Sequence, residues 1–220
     1  MRMRKKPNLI PRMARCEAVQ IKEPQALRGK WLETFPGYDE LHVELGCGKG
    51  RFTADMAEQN PNVFFTAIEK VPDAMVVGME RVTDRGLKNV RFLDEDAKNL
   101  TEIFAPGEVR RIYINFPDPW KKARQKKRRL TWGAFLALYA QLLPVGGEIW
   151  FKSDNDPLFE WSLEQFESQG WELRELTRNL HEHGPVGVMT DYEAKFHAEG
   201  VTINRVVAVK TEACVTEFTG

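Results

Sequence analysis

The segment Ile114–Leu130, INFPDPWKKARQKKRRL, sets a carboxylate, an indole and a run of cations side by side. Asp118 stands between Pro117 and Pro119, whose rings fix the backbone and stiffen the bend on both sides. A carboxylate held in this way can stabilise positive charge that develops on a bound group. Trp120 follows, and an indole stacks on a nucleobase for roughly 1–3 kcal/mol. Lys121, Lys122, Arg124, Lys126, Lys127, Arg128 and Arg129 come next, with no acidic residue among them. Charge runs are often only solvated faces. Directly after a stiff acidic corner, this one can hold the phosphates of a nucleic acid. Each residue also has a plainer role. Asp118 can cap the turn, and Trp120 can belong to the core.

Other acidic residues recur at fixed places. The stretch VELGCGKG carries Glu44, Gly46, Gly48 and Gly50. Glycines after a strand let the backbone turn sharply and approach a ligand. The spacing is not that of a dinucleotide fingerprint, because Arg51 stands where GxGxxG needs its third glycine. Nor does Lys49 have the Ser or Thr that a phosphate-binding loop requires after it. Glu69 lies about twenty residues downstream, where a carboxylate can take both ribose hydroxyls. LDEDAKNL then offers Asp94, Glu95 and Asp96, and a carboxylate there can accept from the adenine amino group. FKSDN places Asp154 before a helix, as a cap or as an acceptor for guanine N1–H and its 2-amino group. TDYEAKF offers Thr190 and Glu193 for the same recognition.

Alternating strand and helix patterns position these residues. Strands are expected at Leu41–Leu45, Val63–Ile68, Val90–Leu93, Arg111–Asn115, Glu148–Lys152, Trp171–Thr177 and Arg205–Lys210. Helices are expected at Leu27–Phe35, Phe52–Gln59, Asp73–Arg85, Asn99–Phe104, Thr131–Leu142 and Pro157–Gln169. This order implies an α/β fold with a mostly parallel seven-stranded sheet and helices on both faces. Such sheets bind ligands at the carboxyl ends of their strands, where the acidic residues fall. Residues 1–25 read as a basic, irregular arm, residues 26–210 as one domain, and residues 211–220 as a disordered tail.

The glycine turn with its series of acidic strand ends resembles the Rossmann-like class I S-adenosylmethionine-dependent methyltransferases. On those features alone, methylation of another RNA or of a small molecule fits equally well. Enzymes of this fold that methylate amines carry an Asn/Asp-Pro-Pro-aromatic corner after the fourth strand. Here Asp118 separates the prolines, which suits guanine N7: its lone pair needs no deprotonation, and the purine becomes cationic on methylation. NFPDPWKKARQKKRRL, VELGCGKG, FKSDN and TDYEAKF together resemble the bacterial tRNA (guanine-N7-)-methyltransferases, over roughly Lys30 to Lys210. The resemblance implies methylation of a variable-loop guanosine in tRNA. It implies cofactor contacts from Glu44, Gly46, Gly48, Glu69, Asp96 and Asp118, with Asp118 as the catalytic residue. It implies substrate contacts from Lys122, Asp154, Thr190, Asp191, Tyr192 and Glu193. The RNA-contacting strip is Arg124, Gln125, Lys126, Lys127, Arg128 and Arg129.

Composition limits the alternatives. Thirty-two basic residues balance thirty-two acidic ones, so any polyanion site must be local, and a general DNA-coating role is not expected. Cys16, Cys47 and Cys214 are too scattered for a disulfide framework or a zinc site. His181 and His183 lack the further ligands that a metal would need, so no metal is expected. The basic N-terminus has no apolar segment behind it, and no stretch approaches a membrane span. A cytoplasmic protein, monomeric or homodimeric, is the expectation.

Overall fold

In the computed structural model, residues 8–219 are described. The chain runs α1 (Leu9–Arg15), α2 (Trp31–Thr34), β1 (Glu40–Leu45), α3 (Arg51–Gln59), β2 (Val63–Ile68), α4 (Pro72–Asp84), β3 (Val90–Leu93) and α5 (Leu100–Ile103). It continues with β4 (Arg111–Asn115), α6 (Gly133–Leu142), β5 (Glu148–Ser153), α7 (Asp156–Ser168), β6 (Glu172–Thr177), α8 (Asp191–Ala198) and β7 (Asn204–Val209). The seven strands form one sheet in the order β3-β2-β1-β4-β5-β7-β6. β1 to β5 pair in parallel, and β7 inserts antiparallel between β5 and β6. The sheet is therefore mixed at one edge.

Burial on both faces explains the strand composition. Every residue of β2 (VFFTAI) is buried, as expected of a central strand covered on both sides. Successive residues point to opposite faces: Phe64 joins Trp31, Phe104, Leu136 and Phe159 on one side, and Phe65 joins Phe52, Met75, Met79 and Phe92 on the other. Gly50, at φ +65°, lets α3 approach α4. A Cβ built on it would lie 2.8 Å from the Gly78 Cα, inside any real contact distance. This glycine is needed for packing.

Three expectations change. Residues 8–25 are not a loose arm: Cys16 is fully buried, Gln20 bridges to Phe92, and Arg12 donates to both carboxylate oxygens of Glu80 on α4 at 2.7 and 2.6 Å. Residues 1–7 of the expected arm lie outside the described residues. The tail after Thr211 is also packed. The Thr211 hydroxyl donates to the Gly170 carbonyl (2.6 Å), and the Gln141 amide donates to the Thr216 carbonyl (2.7 Å). Phe218 anchors it, edge-on to Trp132 with ring centroids 5.5 Å apart. Finally, α8 occupies a stretch for which no element was expected. No helix among the described residues is long and apolar enough to cross a membrane.

Candidate active site

The strand order reverses between β1 and β4, the place where open α/β sheets hold ligands. Two clefts open there. The first, about 600 Å³, is bordered by Gly46, Glu69, Lys70, Val71, Asp96, Trp120 and Phe135. The second, about 580 Å³, is bordered by Glu44, Gly48, Arg51, Lys121, Asp154, Thr190, Asp191 and Tyr192. Gly46, Asn115, Phe116, Pro117 and Asp118 line both. The proline corner is thus the wall between them.

The first cleft is built on acidic strand ends. Glu69 follows β2 and accepts from the Gly48 and Val71 amides, both at 2.9 Å, which ties the glycine turn to its neighbour. Asp96 accepts from the Lys98 amide at 3.0 Å and is paired with Lys70. Burial pushes the Asp96 carboxyl up, but Lys70 and the Lys98 amide outweigh it, and the net shift is downward. Asp96 is therefore ionised at neutral pH. Gly46 and Gly48 sit at φ +73° and +57°, with open space where a side chain would be.

Glu44 lies lower, beneath the turn. It is buried, accepts from the Thr53 hydroxyl, and accepts from Asn115 Nδ2 at 3.0 Å. Burial raises its pKa. It borders the second cleft rather than the first. Asn115 is held by that bond with its Oδ1 buried and unpartnered among the described residues. A buried orphan acceptor is costly unless a ligand donor meets it.

The corner itself is strained. Phe116 and Trp120 adopt φ +53° and +41° on either side of Pro117-Asp118-Pro119. Bulky residues in this region cost about 1–3 kcal/mol each and persist only where their surroundings enforce them. Phe116 is tied by its amide to the Lys152 carbonyl of β5 at 2.9 Å. Asp118 is exposed and forms no hydrogen bond or ion pair with a described residue, so both its oxygens are available to a ligand.

The family model described as "Putative methyltransferase" matches residues 39–206. The tRNA (guanine-N(7)-)-methyltransferase of Geobacillus kaustophilus is 45% identical over 212 residues, covering 96% of this chain and 97% of the relative. That of Bacillus subtilis is 42% identical over 206 residues, covering 93% and 97%. The chain belongs to the tRNA (guanine-N7-)-methyltransferase family. Among solved structures, the 16S rRNA methyltransferase KamB superposes with a TM-score of 0.63 at 16% identity, covering 83% of this chain and 94% of that one. At that identity the likeness concerns the fold alone.

Within this methyltransferase, the structure sorts the residues expected on the substrate side. Asp154 borders the second cleft and is not the helix cap. Asn155 takes that role, accepting from the Leu158 amide at 2.9 Å, and leaves Asp154 unpaired among the described residues. Thr190 borders the cleft while capping α8, its hydroxyl accepting from the Glu193 amide at 2.9 Å. Asp191 pairs with Arg81 at 3.3 Å and Arg51 at 3.7 Å. Tyr192 is 53% exposed, with its ring 5.7 Å from Phe116 and 4.4 Å from Phe196. Glu193 is a correction. It is fully buried and faces away from solvent, 2.9 Å from Lys152 Nζ and 3.0 Å from His181 Nε2. Its charge is needed to neutralise Lys152.

Two further positions shift. Lys121 lines the second cleft where Lys122 was expected. Trp120 borders the first cleft, under the Arg128 guanidinium at 5.0 Å, and the second cleft is bordered instead by Tyr192, Phe116 and Phe52. The basic strip forms a 3₁₀ turn, Ala123–Arg128. Arg124, Lys126, Lys127 and Arg128 are exposed, Gln125 is half-buried, and Arg129 is only 8% exposed. Arg129 therefore departs from the expected RNA-contacting set. Asn115, Phe116 and Lys70 were not anticipated as site residues. For Asn115, the available signal was its place at the end of the fourth strand.

Replacing Arg124, Lys126 and Lys127 together by alanine tests the strip. The slope of log affinity against log salt should flatten by about 2–3, with weaker tRNA binding at low salt. Cofactor affinity, measured by calorimetry, should stay within about twofold, because these side chains do not line the first cleft.

Proposed function

We infer that this protein transfers a methyl group from S-adenosylmethionine to N7 of a variable-loop guanosine in tRNA. The observation that carries the reading is the pair of clefts meeting at Asp118, with the exposed basic turn beginning just beyond it. When bound, S-adenosylmethionine supplies an electrophilic methyl group on a positively charged sulfur.

The first cleft suits that cofactor. Glu69 offers a carboxylate to the ribose hydroxyls, and Asp96 offers one to the adenine amino group. The orphan Oδ1 of Asn115 is an acceptor for an ammonium group. Glu44 supports this by holding the Asn115 amide in place. No group of three or more potential metal ligands occurs among the described residues.

In the second cleft the chain's own residues would receive the base. Tyr192 presents a ring for stacking. Asp154 presents a free carboxylate to guanine N1–H and the 2-amino group, donors that adenine does not offer together. Asp118 stands between the clefts and stabilises the purine as it gains positive charge. Guanine N7 carries its own lone pair, so no general base is required. The site also lacks an activated nucleophile at Cys47, whose thiol is pushed well up by burial and stays neutral. Direct transfer, with positioning and charge stabilisation as the protein's contribution, is the chemistry this arrangement serves.

A tRNA transcript made with 7-deazaguanosine tests the acceptor atom. It replaces N7 by carbon while leaving the phosphates and the N1–H and 2-amino donors. It should compete for binding with about the same affinity as the normal transcript and accept no methyl group. Methylation of the 7-deaza transcript at a rate near normal would show that another atom is the acceptor.

A further inference from the structure

We propose that Arg129 is a positioning residue for the Asp118 corner and makes no contact with RNA. This rests on the reading that Asp118 faces the accepting base. Pro117 and Pro119 have no N–H, so the corner can be tied down mainly through its carbonyls. Arg129 supplies those ties: Nε donates to the Pro119 carbonyl at 2.9 Å, and Nη2 donates to the Trp120 carbonyl at 3.4 Å. Together with the Phe116 amide on the Lys152 carbonyl, this fastens the bend at both ends, while the Asp118 side chain bonds to no described residue.

The guanidinium is itself fixed from behind. It lies 4.4 Å over the ring of Trp161, which stacks on Trp132 at 6.2 Å and an interplanar angle of 2°. Phe218 of the C-terminal tail closes the stack edge-on. No carboxylate pairs with Arg129 among the described residues, and it is buried while Lys126, Lys127 and Arg128 beside it are exposed. A planar fork that bonds two carbonyls and stacks on an indole is a task lysine cannot perform. A phosphate contact, by contrast, tolerates lysine as a point charge.

Arg129→Lys and Arg129→Ala should therefore be compared with Lys127→Ala. Both Arg129 variants should lose about tenfold to a hundredfold in turnover at saturating tRNA. Their tRNA affinity and salt slope should stay within about twofold of normal. Hydrogen exchange at the Phe116 amide, the corner's bonded N–H, should rise in Arg129→Lys. Lys127→Ala should leave that exchange unchanged and lower the salt slope by about one. Normal turnover and normal exchange in Arg129→Lys would overturn the proposal. So would a salt slope lower by about one in Arg129→Ala with exchange unchanged. If Arg129→Ala fails to fold, the lysine variant still decides. If the methyl group is found elsewhere than guanine N7, the functional reading fails, and the exchange rates still decide whether Arg129 clamps the corner.

Discussion

Asp118→Asn should lower turnover on tRNA by about a hundredfold or more, equivalent to about 3 kcal/mol of transition-state stabilisation. The substitution keeps size and hydrogen-bonding shape and removes only the charge. The carboxylate has no structural partner to lose, because no described residue bonds to it, so folding stability should be almost unchanged. The prolines and Arg129 hold the bend by its backbone, and the bend should persist in the variant. Cofactor and tRNA affinities should move far less than turnover, since the charge matters most when the purine becomes cationic. Single-turnover methyl transfer with saturating tRNA reads this directly. Turnover within a few-fold of normal would reduce Asp118 to a turn residue.

Glu193→Gln should destabilise the protein by about 3–5 kcal/mol, lowering Tm on the order of 10 °C. Lys152 is 7% exposed at its side chain and Glu193 is 0% exposed. Removing the acid's charge leaves a buried ammonium with the Val188 carbonyl at 3.1 Å and, among the described residues, no other carboxylate within ion-pair distance. Glutamine still reaches the Thr190 amide, so the helix cap survives and the effect isolates the charge. The pH dependence has a definite sign. Burial already lowers the Lys152 pKa, and Glu193 offsets part of that. Without Glu193 the folded state binds the proton less tightly than the unfolded chain does. Folding then releases a proton, so stability rises with pH. The deficit should be largest near neutrality and shrink as pH approaches the unfolded lysine value of about 10.4. Replacing both partners, Lys152→Met with Glu193→Leu, should recover much of the loss. Equal losses in the single and double variants would show that shape, not charge, is what the pair provides.

Much of this architecture was legible in the sequence, for identifiable reasons. Val63–Ile68, Val90–Leu93 and Arg111–Asn115 fall where expected because short apolar runs between turn signals can only be buried strands here. The glycine turn, Glu69, Asp96 and the proline corner border the clefts because strand ends in this fold class are where ligands are held. What failed depends on distant partners. Glu193 looks like a surface acid until Lys152, forty-one residues away, is placed against it. Arg129 looks like one more cation of the strip until Trp161 and the corner carbonyls surround it. α8 did leave a signal: Thr190 with Glu193 three residues on is a capping box. The tail's order depends on distant partners, such as Phe218 meeting Trp132 and the Gln141 amide meeting the Thr216 carbonyl, which no local pattern announces.

The account's central claim is that a guanine is methylated at N7 beside Asp118. The most direct measurement is to incubate the protein with an unmodified tRNA transcript and methyl-labelled S-adenosylmethionine, digest the RNA to nucleosides, and locate the label. All of it should appear as 7-methylguanosine from the variable loop, and the Asp118→Asn variant should yield the same nucleoside at a far lower rate. Label in any other nucleoside, or no transfer to tRNA by a protein that binds both partners, would contradict the account.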